Sequence, residues 1–146
     1  MTRFFGVVLV LVAVVAAGFY FALRGVSDSE STRSVEDTEV VLDGTPTTCG
    51  ELFGAPCSVD VQTTYNRIAP RLDDFVRGAD FGPWAATIGF DESAILVVEA
   101  CNLIGRPGQT DLEFVDLARV RYPNAGSPEL FPFWQRAREG LCPPPS

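Results

Sequence analysis

Histidine is absent from this chain of 146 residues. Without imidazole there is no Ser-His or Cys-His pair, no histidine general base and no imidazole ligand for a metal. Lysine is absent too: all 11 basic residues are arginines, outnumbered by 19 carboxylates for a net charge of -8. The arginines are scattered among the acids and form no basic face, which excludes nucleic acid as a partner. Such all-arginine usage is associated with GC-rich genomes. The close cysteine spacings of metal and redox sites are also missing. Seven residues separate Cys49 from Cys57, matching neither a zinc knuckle nor a C-x-x-C pair. No acidic loop has the D-x-D-x-D-G spacing of a calcium site. The sequence therefore assigns no catalytic, cofactor-binding or metal-ligating residue.

Charge is missing altogether from residues 4–23, "FFGVVLVLVAVVAAGFYFAL". A helix of that length spans roughly 30 Å, one hydrocarbon core, so residues 1–25 read as a single N-terminal membrane anchor. The alternative is a signal peptide cleaved near Ala17, but the apolar run continues past that point. No cysteine follows the run that a lipid anchor could use. Arg3 and the terminal amine weakly favour an inside N-terminus. The four cysteines, Cys49, Cys57, Cys101 and Cys142, all lie beyond the anchor. An even set in a small domain reads as disulfides, which persist outside the cytoplasm. The expected protein is single-pass at the cell membrane with its C-terminal domain outside, or secreted if the segment is cleaved.

Residues 26–48 are acidic, polar and poor in aromatics, and read as a flexible stalk in which "EVVLD" forms a short strand or turn. Residues 143–146 make a Pro-rich tail. Between them, residues 49–142 carry helical patterning. Val61, Tyr65, Ile68, Leu72 and Phe75 form one apolar stripe, which Pro70 is expected to kink or split. A short helix spans residues 83–88 and stops at Gly89. Asp91 reads as the N-cap of a helix over residues 92–104, ended by Gly105. "TDLE", residues 110–113, is a capping box opening a helix towards Tyr122. "SPE", residues 127–129, places Ser127 as an N-cap before a proline, although Pro132 would delay that helix. Its apolar face would be Phe131, Trp134, Ala137 and Leu141. The fold class is all-α, with four to five short helices.

Cys101 shares a helix face with Val97 and Ile104, spaced four and three, and so points to the core. Cys142 closes the last helix. Joining the two would staple that helix onto the central one, and Cys49 with Cys57 would close a small lasso. Two other pairings are formally open. The strut is the reading that fits best.

"FGPWAATIGFDESAILVVEACNLIGRPGQTDLEFVDLARV", followed by "LFPFWQRAREGLCP", resembles a family of small secreted helical domains of unknown function from mycobacteria and their actinobacterial relatives. The shared features are a short helix with a glycine turn ("WAATIGF"), a cysteine in an apolar helix before glycine ("EACNLIG") and an aromatic-alanine helix ending in Cys-Pro ("FWQRAREGLCP"). The resemblance covers residues 80–143 and implies a Cys101–Cys142 disulfide. The segment 49–78, with its own cysteine pair, departs from the family pattern. No activity comes with the resemblance.

Paired acids can serve as general acid and base when one is buried. Here Asp73 and Asp74, Asp91 and Glu92, and the group Asp111, Glu113 and Asp116 are candidates, but several sit in first turns where the helix dipole favours them. Glu99 lies mid-helix, either facing solvent or buried beside an arginine such as Arg119 or Arg136. Aromatic residues are plentiful. Most of Phe81, Trp84, Phe90, Phe114, Tyr122, Phe131, Phe133 and Trp134 must form the core, but "LFPFW" cannot all face inward on one helix, because neighbours differ by about 100°. One of Phe131, Phe133 and Trp134 should therefore be exposed or in a groove, which makes these three the candidate partner-binding residues. The expected function is a non-enzymatic module that binds or scaffolds an envelope protein or ligand; the alternative is a small enzyme built on a carboxylate pair.

Overall fold

The computed structural model describes residues 35–142. The expected anchor at residues 4–23 and the tail at 143–146 lie outside them. Within the described residues, no helix is long and apolar enough to cross a membrane.

The chain enters as a hairpin. Strand β1, Val40–Leu42, pairs antiparallel with β2, Thr45–Thr47. The two-residue link is Asp43-Gly44, both at positive φ (48° and 81°), the geometry whose twist matches paired strands. Helix α1, Cys49–Phe53, follows, started by Thr48 and Glu51 in a reciprocal capping box and stopped by Gly54 in the left-handed region. Then come α2 (Val59–Gly78), α3 (Pro83–Ile88), α4 (Phe90–Ile104), α5 (Asp111–Arg121) and α6 (Ser127–Gly140). The fold is mostly helical, with six helices among the described residues. Residues 49–142 are helical as expected, with six helices in place of four to five, and the hairpin that precedes them contains the "EVVLD" strand.

The hairpin corrects the stalk boundary. Leu42 is fully buried in the core, and the segment is tied to α2 by polar contacts. The Tyr65 hydroxyl donates to the Thr47 carbonyl at 2.7 Å, and the Asp43 amide donates to Asp73 Oδ1 at 2.7 Å. Gln62 Nε2 donates to Asp37 Oδ1 at 2.9 Å, and Arg77 bridges Asp43 and Asp73 at 2.6 and 2.9 Å. Composition alone misplaced this stretch because one buried leucine and a set of borrowed partners suffice to order it. The Tyr65 hydroxyl pKa is pushed up to about 12, chiefly by burial and then by the Asp37 and Glu51 charges, so it remains a donor.

Pro70 does not split α2, which runs unbroken for 20 residues. Tyr65, Ile68, Leu72 and Val76 are buried on both sides of it, while Pro70 itself is exposed. The apolar stripe buried before and after it holds the helix through the one backbone hydrogen bond that Pro70 removes. Two expected caps move by one or two residues. Gly89, at φ 86°, precedes α4 in place of Asp91, which sits in the first turn. Gly126 precedes α6 in place of Ser127, its amide donating to Glu129 Oε2 at 2.9 Å. Pro132 does not delay that helix. The Thr110 capping box stands as expected: the Thr110 amide and hydroxyl both donate to Glu113 Oε2.

Helix α4 is the centre of the domain, packed on α2 and on α6. It is buried nearly all round, from Ser93 through Val98 and again at Ala100, Cys101 and Leu103. Two disulfides close the fold: Cys49–Cys57, and Cys101–Cys142 with a Cα–Cα distance of 5.0 Å. The second joins the middle of the core to the second residue beyond α6.

Candidate functional site

Helix α6 sorts the aromatic run of residues 131–134 by periodicity. Leu130, Phe133, Trp134 and Ala137 are buried, with Leu141 beyond the helix end. Phe133 stacks on Phe81 at 4.4 Å between ring centroids and meets the Trp84 edge at 6.0 Å. Trp134 leans on Phe114 at 5.8 Å. Phe131 lies on the helix flank beside Trp134, turned away from Phe133, and is 42% exposed. Of the three candidate partner-binding residues, Phe133 is therefore core, Trp134 is core with one edge in a groove, and Phe131 is the accessible ring.

That groove has a volume of about 610 Å³ and is lined by Asp111, Phe131, Trp134, Gln135, Arg138 and Glu139. Residues 131, 134, 135 and 138 are one stripe of α6 at spacings of three and four. The groove thus has an apolar floor of two aromatic rings and a rim carrying both charge signs. Gln135 Nε2 donates to Glu139 Oε1 at 3.0 Å, which orders that side of the rim. A smaller groove of about 310 Å³ lies at Phe81, Phe90 and Ser93, and one of about 390 Å³ lies against the hairpin at Thr45 and Thr47.

The carboxylates converge elsewhere. Glu99 is mostly buried on α4, two turns after Glu92. Arg119 and Arg136, the partners expected from sequence, donate instead to the Ala125 and Asp80 carbonyls. Arg121 is the nearby cation, and its Nη1 lies 3.2 Å from Glu92 Oε2, which also accepts from the Tyr122 hydroxyl. Arg121 lies over the Phe53 ring at 5.9 Å, and Tyr122 packs edge-on to Trp84 at 5.3 Å. Among the described residues, Glu99 Oε2 is buried without a hydrogen-bond partner. Burial raises the Glu99 pKa, the Arg121 charge opposes that rise, and the Glu92 charge adds to it. The Tyr122 hydroxyl is likewise pushed up, by burial first and by its bond to Glu92 second. Sequence reasoning singled out Glu99 but missed Tyr122 as a polar partner; the seven-residue offset between Glu92 and Glu99, two helical turns, was the available signal. The other acid pairs are capping or surface groups, and the described residues contain no group of three or more potential metal ligands.

These features define a disulfide-stapled helical domain with an aromatic-floored groove at Phe131 and Trp134 and a partly buried acid pair, Glu92 and Glu99. No family model, curated protein or solved structure matches the chain.

Proposed function

We propose that this chain is a non-enzymatic, single-pass, membrane-anchored module whose helical domain lies outside the cytoplasm. There it binds a protein segment of another cell-envelope component in the groove beside Phe131. The observation that carries this reading is the half-exposed Phe131 ring at a groove whose floor continues into Trp134. Large aromatic rings at the edge of a pocket are the usual anchors of binding energy, and the groove volume is that of a ligand site. The charged rim, with Arg138, Glu139 and Asp111, supplies orientation. The anchor rests on residues 4–23 and the compartment on the paired cysteines. The resemblance of residues 80–143 to secreted actinobacterial domains points the same way.

The test is a photoreactive amino acid at position 131 of the full chain, irradiated in intact native cells. A discrete adduct that disappears with Arg138→Glu and is absent from a probe at exposed Val59 supports the groove. Adducts equal at both positions sink it. Protease added to protoplasts should remove residues 49–142 in the same cells; their protection would overturn the outward orientation. A mature N-terminus near Gly18 would establish the secreted alternative.

One observation favours the enzyme reading, the partnerless Glu99 beside Glu92. The Phe131 groove and the two smaller ones are lined by other residues, which weighs against it.

A further inference from the structure

Helix α5 is apolar on more than its buried side. Phe114, Val115 and Ala118 face the core, while Leu112, Leu117 and Val120 are 67%, 41% and 84% exposed. At 100° per residue, Val120 stands almost opposite the buried stripe. Leu112, Asp116 and Arg119 run along one flank of it, and Glu113, Leu117 and Arg121 along the other. The acids lie in the first half of the helix and the arginines in the second, on both flanks.

We infer that this face of α5 is a self-association surface, on which two copies of the chain pair their α5 helices antiparallel about a two-fold axis near Leu117. Antiparallel two-fold pairing brings like flank against like flank and reverses the direction, so the acidic half of each helix meets the basic half of the other. Asp116 then faces the second copy's arginine at position 119, and Glu113 faces the one at position 121. Leu117 and Val120 fill the seam between them. A parallel pairing would set acid against acid and arginine against arginine. The arginines can serve both copies: Arg119 Nε donates to the Ala125 carbonyl at 3.2 Å and Arg121 Nη1 to Glu92, and each guanidinium has further donors. The contact is one helix wide, at the small end of specific interfaces, and belongs to a weak dimer. Asp111, the α5 residue that lines the Phe131 groove, lies on the opposite side of the helix from Val120, so this surface does not depend on that reading.

All four cysteines are in disulfides, so Leu117→Cys supplies the single free thiol of the full chain. In membranes from the native cells, a short bifunctional thiol reagent should convert this variant to a covalent dimer of twice the chain mass. Adding Val120→Glu, whose side chain stands clear of the domain's own core, should abolish the dimer. Adding Asp116→Arg or Arg119→Asp should abolish it as well, since each opposes like charges. Co-expressing those two variants should restore it, because every pair across the axis is then opposite in sign. No dimer from Leu117→Cys, an adduct to a different protein, or a dimer indifferent to Val120→Glu would overturn self-association. A dimer lost in both charge variants but not regained on co-expression would overturn the antiparallel register.

Discussion

Removing the Cys101–Cys142 bond should destabilise the domain more than removing Cys49–Cys57, by a margin set by loop length. The bonded residues are 41 apart in the first case and 8 in the second. Each bond restricts the unfolded chain by an amount that grows with the logarithm of the loop, which gives about 4 kcal/mol for the strut and about 2.5 kcal/mol for the lasso. Burial does not blur the comparison, because Cys49 and Cys101 are both buried and both alanine pairs empty a similar core volume. The strut has a further consequence. The end of α6 is otherwise held by Leu141 in the core and by Arg71 Nη2, which donates to the Leu141 carbonyl at 2.8 Å. The variants are Cys101→Ala/Cys142→Ala and Cys49→Ala/Cys57→Ala in the full chain, solubilised in detergent without reductant. Trp84 and Trp134 report urea unfolding, and the midpoints with their slopes give the free energies. At about 4–8 °C per kcal/mol, the strut variant should also melt roughly 15–30 °C lower. Equal losses, a larger loss for the lasso, or a strut loss below about 1 kcal/mol would refute the loop argument. Peptide mapping without reductant checks the premise: a Cys57–Cys101 peptide would show the pairing to be wrong.

Three further outcomes are expected. Because burial raises the folded-state pKa of Glu99, the folded protein holds that proton more tightly than the unfolded chain does. Its contribution to stability therefore falls as pH rises from the unfolded pKa through the folded one, and the full cost remains at higher pH. Glu99→Gln should flatten that part of the profile and be the more stable protein above it; parallel profiles for parent and variant would refute the buried charge. Leu42→Ala should cost about 2–5 kcal/mol in urea unfolding, as for a core leucine, whereas a change near zero would return the hairpin to the stalk. Phe133→Ala should cost about 3–5 kcal/mol. Phe131→Ala should stay within about 0.5 kcal/mol of the parent, as for a surface change, and similar losses for the two would contradict their opposite orientations on α6.

The sequence by itself determined what depends on a few adjacent residues. Thr110 and Glu113 close a capping box wherever that segment turns helical, and Gly89 supplies the positive φ that ends α3, so both boundaries were legible. The even cysteine count and the core-facing spacing of Cys101 were legible for the same reason. Periodicity required one ring of residues 131, 133 and 134 to leave the core, but it could not say which. That choice fell to Phe81 and Trp84, which arrive from far along the chain and take Phe133 between them. The hairpin had a readable turn in Asp43-Gly44. Its order nevertheless comes from Tyr65, Asp73 and Arg77 on α2, distant residues that no local composition reveals. Pro70 was judged by the hydrogen bond it removes, whereas the outcome was decided by the apolar stripe buried on either side of it. Glu99 shows the limit most plainly. Its burial and its neighbours Glu92, Arg121 and Tyr122 follow from the way α5 crosses α4, and a packing angle between helices is set by side chains that meet only once the chain has folded.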